Sequence, residues 1–106
     1  MKFLAIATLS VLSMAATPVL ADEAQLARGK ELFVSKAVPA CSVCHTMADA
    51  GSKGAIGPNL DELKPDAARV LKVLNEGMGA MPSFKATLSP ADMDAVAAYV
   101  VKATTK

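Results

Sequence analysis

Tryptophan is absent from this 106-residue chain, tyrosine occurs once and phenylalanine three times. A core built on aromatic packing is therefore excluded. Histidine occurs once and cysteine twice, too few for a structural zinc site with four ligands of those types. Neither sign of charge dominates, with 11 Lys and Arg against 10 Asp and Glu. That balance excludes an acidic tail and a nucleic-acid binder defined by its net charge. The length bounds the chain to one small domain.

The apolar fraction, 53%, is high for such a chain, and part of it lies at the N-terminus. Lys2 opens residues 1–21. Residues 3–14 are apolar except for Thr8, Ser10 and Ser13, and Val19, Leu20 and Ala21 form a small-residue cleavage context. The pattern predicts a cleaved secretory signal peptide over 1–21 and a single domain over 22–106. Export sets a compartment in which disulfides can form; the expected location is the periplasm. The remaining 85 residues carry ten basic and ten acidic side chains. A domain of that size and so poor in aromatics needs a disulfide, a metal or a cofactor to complete its interior.

Both cysteines and the histidine fall in Cys41-Ser42-Val43-Cys44-His45. This is C-x-x-C-H, the attachment sequence for a c-type haem. Two intervening residues set the thiols along a helical turn, each facing one vinyl group, and the next residue offers its imidazole to the iron. A thioredoxin-like redox pair needs a βαβ context, which is missing here. A plain disulfide would leave His45 without a task.

The rest reads as helices joined by long loops, with no alternating strand pattern. A first helix is expected over 23–36, with Leu26, Gly29 and Phe33 on one face. Gly29 at mid-helix suggests close approach of another helix. Residues 51–60 read as a loop, because Gly51, Gly54, Gly57 and Pro58 interrupt any helix. A second amphipathic helix is expected over 66–76, with Ala67, Val70, Leu71 and Leu74 facing inward and Gly77 as its stop. The last helix starts at a Ser89 cap with Pro90 at its first position, and Leu88 and Met93 staple that cap. Met93, Val96, Ala97 and Val100 form its apolar stripe, with Tyr99 at the margin. The fold class is all-α: three to five short helices around one covalently bound haem.

A second imidazole is not available, so methionine is the candidate for the other axial position, a pairing that raises the reduction potential. Met47 is too near the attachment site, and Met93 belongs to the core stripe. Met78 and Met81 share the loop 77–84. Pro82 biases Met81 toward extended backbone, and the neighbouring glycines let the loop pass close over a ring. These features favour Met81; Met78 and an open iron are the other readings.

Taken together, the residues resemble class I cytochromes c over nearly all of 22–106. Gly29 and Phe33 look like the N-terminal helix of that family, and residues 96–100 like its C-terminal partner. Cys41, Cys44 and His45 match the haem motif, Gly57-Pro58-Asn59-Leu60 the loop beside the proximal histidine, and Met81-Pro82 the axial segment. The resemblance implies that the Pro58 carbonyl accepts the His45 N–H, with Leu60 beside the cofactor. Residues 56–66 and 79–82 also resemble the small cytochromes of bacterial sulfite dehydrogenase systems. The implied function is electron carriage between Fe(II) and Fe(III) rather than catalysis. Electrons would come from a periplasmic dehydrogenase or quinol-linked complex and pass to another cytochrome or a terminal oxidase. A partner or subunit role beside a molybdenum sulfite dehydrogenase is the alternative, and a small peroxidase or gas sensor stands behind both. The charged residues, including Asp61, Glu62 and Asp66, are expected to form a solvated surface.

Overall fold

The computed structural model describes residues 5–11 and 22–105; most of the expected signal peptide lies outside them. Residues 5–11 carry no regular secondary structure and stand exposed. Among the described residues, no helix is long and apolar enough to cross a membrane.

Asp22 opens helix α1 (Glu23–Glu31) by accepting from the backbone N–H of Gln25. The helix continues into a π-helical turn, Leu32–Lys36, so the expected segment 23–36 is one helical stretch with two geometries. Helix α2 (Cys41–Cys44) holds the two thiols. Strands β1 (Thr46–Met47) and β2 (Ser52–Lys53) then pair antiparallel across a 3₁₀ turn at Ala48–Ala50. That ladder corrects the strand-free reading and shortens the expected loop. Two residues per strand are too few to show alternation, and the Ser52 hydroxyl helps by accepting the Met47 N–H at 3.0 Å.

Helix α3 (Leu60–Leu63) cuts the same loop from the other end. The Asn59 side chain accepts from the N–H groups of both Asp61 and Glu62. Helix α4 (Ala67–Glu76) is capped by Asp66, and helix α5 (Pro90–Thr104) by Ser89 with Pro90 in its first turn. Both caps satisfy amide donors that the first turn leaves open. Leu88 and Met93 are both buried, as a staple across the α5 cap requires.

The core lies where α1 crosses α5. A Cβ on Gly29 would stand 2.6 Å from the Tyr99 Cβ and would also strike the Ala95 carbonyl. Only a missing side chain allows that approach. Phe33 meets Tyr99 edge-to-face at 5.9 Å between ring centroids, a favoured aromatic geometry. Tyr99 is therefore in the core, at 4% exposure, and not at its margin. Its hydroxyl escapes a desolvation penalty by donating to Asp49 Oδ2 at 2.6 Å. Ala67 departs from the expected apolar face of α4: it is exposed, while Leu74 is buried and Val70 and Leu71 half-buried.

Charged side chains fasten the same frame. Arg28 pairs with Asp92 across the helix crossing, and Lys30 reaches Asp49 at 3.8 Å. Asp61 Oδ2 accepts the Ala48 N–H at 2.8 Å, and Asp66 caps α4 through the Arg69 N–H. Two members of the acidic group expected to be merely solvated thus hold backbone in place.

Candidate functional site

A cavity of about 330 Å³ lies between these elements. It falls within the roughly 300–1,000 Å³ range of small-molecule and cofactor sites. Cys41, Cys44 and His45 line one side, and Met78, Ala80, Met81 and Pro82 also line it. Pro58, Leu60, Phe33, Leu74, Phe84, Val96 and Val100 contribute as well. Every site residue expected from the sequence, namely Cys41, Cys44, His45, Pro58, Leu60 and Met81, therefore borders a single space.

Helix α2 sets the donors. The His45 N–H bonds back to the Cys41 carbonyl at 3.0 Å, after which the chain turns extended. Burial pushes the Cys41 thiol up to about 11. A thiol kept protonated at neutral pH is a poor partner for disulfide exchange or metal-thiolate binding. The Ser42 hydroxyl donates to the Val34 carbonyl at 2.9 Å, tying α2 to the π-helical turn.

The loop after β2 grips the motif. Gly57 donates its N–H to the Cys44 carbonyl at 2.7 Å, and Thr46 Oγ1 donates to the Gly54 carbonyl at 2.9 Å. The two glycines have separate reasons. A Cβ on Gly54 would lie 2.6 Å from the Val43 carbonyl oxygen, and one on Gly57 would lie 2.6 Å from His45 Cε1. The Pro58 carbonyl stands 2.7 Å from His45 Nδ1. A carbonyl can only accept, so Nδ1 carries the proton, and Nε2 keeps its lone pair for a metal.

A single isolated β-bridge defines the Met loop. Met78 and Met81 exchange both backbone hydrogen bonds, at 3.0 and 2.9 Å, across Gly79 and Ala80. Gly79 takes φ +56 there, which glycine adopts without strain. Met78 is 66% exposed, whereas Met81 is half-buried and packs against the core. Met47, fully buried, and Met93 are core residues.

The donor chemistry fits a haem. Among the described residues no cluster of three or more His, Cys, Asp or Glu side chains could hold a metal alone. One imidazole and one thioether supply two donors, which suits an iron whose other four ligands come from a macrocycle. Besides these donors and Arg69, the side chains of the wall are apolar.

The sequence and fold relate to known proteins. The family model for subunit III of cbb3-type cytochrome c oxidase matches residues 24–100. Cytochrome c6 of Synechocystis sp. is 34% identical over 99 residues, covering 86% of this chain and 73% of the relative. The crystal structure of the c-type cytochrome SorU from Sinorhizobium meliloti superposes with a TM-score of 0.76 at 46% identity. It spans 80% of this chain and 97% of that one. The chain belongs to the class I, single-haem cytochromes c, electron carriers whose cofactor is covalently attached haem c.

Proposed function

We propose that the chain is a periplasmic electron carrier in which Cys41 and Cys44 would hold haem c through thioether bonds, and His45 and Met81 would be its two protein ligands to the iron. Haem, when bound, supplies a one-electron couple between Fe(II) and Fe(III). The observation that carries the ligand assignment is the 2.7 Å approach of His45 Nδ1 to the Pro58 carbonyl. It fixes the tautomer and orients the ring, as outer partners of metal-bound histidines commonly do. Burial of Met81 relative to Met78 favours Met81 as the second donor. The apolar wall would keep water from the metal, so the residues present suit electron carriage rather than ligand activation. Residues 1–21 act as the export signal, and 22–106 form the mature domain.

Haem attachment is tested by co-expression with haem-attachment machinery. Haem that survives acid–organic extraction supports the reading; complete extraction overturns it. Cys41→Ala and Cys44→Ala should each lose one bond to the cofactor. The reduced protein should be low-spin and should not bind carbon monoxide, and ready binding at neutral pH would remove Met81 as ligand.

The proposed donors are a periplasmic dehydrogenase or a quinol-linked complex, and the acceptors another cytochrome or a terminal oxidase. Residues 56–66 and 79–82 favour one donor in particular, a molybdenum sulfite dehydrogenase. Reduction by such an enzyme on addition of sulfite supports that pairing. Reduction only by a quinol-linked complex would exclude it while leaving the carrier role intact.

A further inference from the structure

Three hydrogen bonds join residues 44–48 to residues 57–61, and they keep one register. Gly57 donates its N–H to the Cys44 carbonyl at 2.7 Å, and His45 Nδ1–H donates to the Pro58 carbonyl at 2.7 Å. Farther along, Ala48 donates its N–H to Asp61 Oδ2 at 2.8 Å. The partners of the His45 and Ala48 bonds are each 13 positions apart, and the Cys44–Gly57 bond keeps the same offset, so the two segments run parallel. The bond to the imidazole is thus bracketed by a backbone bond on one side and a carboxylate bond on the other.

The far bracket is well anchored at both ends. Asn59 stiffens the path from Pro58 to Asp61, because its side chain accepts from the N–H groups of Asp61 and Glu62 at 3.0 and 3.3 Å. Asp49, next to Ala48 in the 3₁₀ turn, accepts the Tyr99 hydroxyl and pairs with Lys30. That turn is therefore held by α5 and α1 before Asp61 reaches it.

We infer that Asp61 is a positioning residue for His45: by holding the Ala48 N–H, its carboxylate sets where the Pro58 carbonyl meets the imidazole. The inference rests on the haem assignment above and adds to it a residue that does not border the cavity. Two tethers on a short segment fix its orientation, where one leaves it free to pivot. A pivot matters because a hydrogen bond weakens steeply as its angle closes. A carboxylate accepting a backbone N–H is among the stronger hydrogen bonds, which suits a tether. Its influence reaches the ring through the backbone of residues 58–61.

The consequence falls on the couple. An acceptor at Nδ1 strengthens Nε2 as a donor to the metal and so favours Fe(III). Releasing the Asp61 tether should loosen that acceptor and raise the reduction potential. Removing a negative charge also raises it, so charge and tether have to be separated. Asp61→Asn loses the charge and keeps an oxygen that can accept the Ala48 N–H, whereas Asp61→Ala loses both.

The test follows exchange of the His45 Nδ1 proton by NMR in the reduced, haem-loaded protein, with the potential measured alongside. The variants are Asp61→Ala, Asp61→Ser, Asp61→Asn and Glu62→Gln, the last removing a charge from the exposed neighbour. The amide of Ala97, buried in α5, reports general loosening. Asp61→Ala should speed exchange at His45 by about tenfold, as expected for loss of one hydrogen bond to a charged group, and leave Ala97 unchanged. Asp61→Ser, too short to reach Ala48, should behave likewise and gives a second reading if Asp61→Ala does not fold. Asp61→Asn and Glu62→Gln should exchange as wild type, and the potential of Asp61→Ala should lie above that of Asp61→Asn. Equal exchange in Asp61→Ala and Asp61→Asn, or an equal rise at Ala97, would overturn the inference. A wild-type chain that takes up no covalent haem would instead overturn the haem assignment, so the two failures are distinguishable.

Discussion

Gly57 lies directly against the ring of His45: a Cβ there would come within 2.6 Å of Cε1 and 2.9 Å of Nδ1. Gly57→Ala should push the ring off the Pro58 carbonyl, at an overpacking cost of about 1–3 kcal/mol. An acceptor on Nδ1 makes the other nitrogen a better donor to the metal and so favours Fe(III). Its loss should raise the reduction potential of the haem-loaded protein. Voltammetry of the variant checks this, and an unchanged potential would show that the ring is held by other contacts.

The two methionines of the 77–84 loop can be separated by paired truncation. Met81→Ala should open an axial position, so that the reduced protein binds carbon monoxide, and Met81→His should lower the potential by replacing sulfur with nitrogen. Met78→Ala should leave the spectrum unchanged and exclude carbon monoxide. The reverse pattern would transfer the ligand role to Met78.

At Gly29 two effects oppose each other. Helix propensity alone predicts a gain of about 1 kcal/mol for Gly29→Ala. The Ala95 carbonyl and Tyr99 Cβ occupy the space that the methyl group would need, and that obstacle includes backbone, which cannot rotate away. Packing should win, with a net loss of about 1–3 kcal/mol, read from the urea midpoint of the haem-loaded protein. A stabilised variant would mean that the helices can separate at no cost.

Tyr99→Phe removes the hydroxyl that donates to Asp49 at 2.6 Å, at a cost of about 1 kcal/mol near neutral pH. Burial raises the Tyr99 pKa above its ordinary value of 10.0, and the Asp49 carboxylate raises it further. A group whose folded pKa is raised stabilises fully below its unfolded pKa and loses that contribution as pH climbs toward the folded value. Wild type and Tyr99→Phe should therefore converge in stability above about pH 10, where the unfolded tyrosine ionises. Denaturation curves at pH 7 and pH 11 test it; a constant difference between the two proteins would contradict the linkage.

Much of the site could be read from the sequence because its signals are local. Cys41, Cys44 and His45 are adjacent, and the caps at Asp66 and Ser89 act over three residues. Gly29 was legible for the same reason, as a helix residue whose cost needs an explanation. What escaped depends on partners far along the chain or on very short segments. Tyr99 reads as marginal by periodicity alone, since its place in the core depends on Asp49, 50 positions away. The β1–β2 ladder depends on one serine hydroxyl closing onto Met47. Helix α3 did carry a signal, Asn59 followed by Asp61 and Glu62, masked by the nearby Gly57 and Pro58.

The crossing of α1 with α5 imposes an order of events. Arg28 and Asp92, which meet across it, are 64 positions apart, and the closing of so long a loop carries an entropic cost that local helices do not. A chain emerging N-terminus first presents Cys41 and Cys44 before Val96 and Val100 exist to complete the wall beside them. Cys41 and Cys44, near one end of the domain, and Val96 and Val100, near the other, thus come to border one cavity only when that long loop has closed.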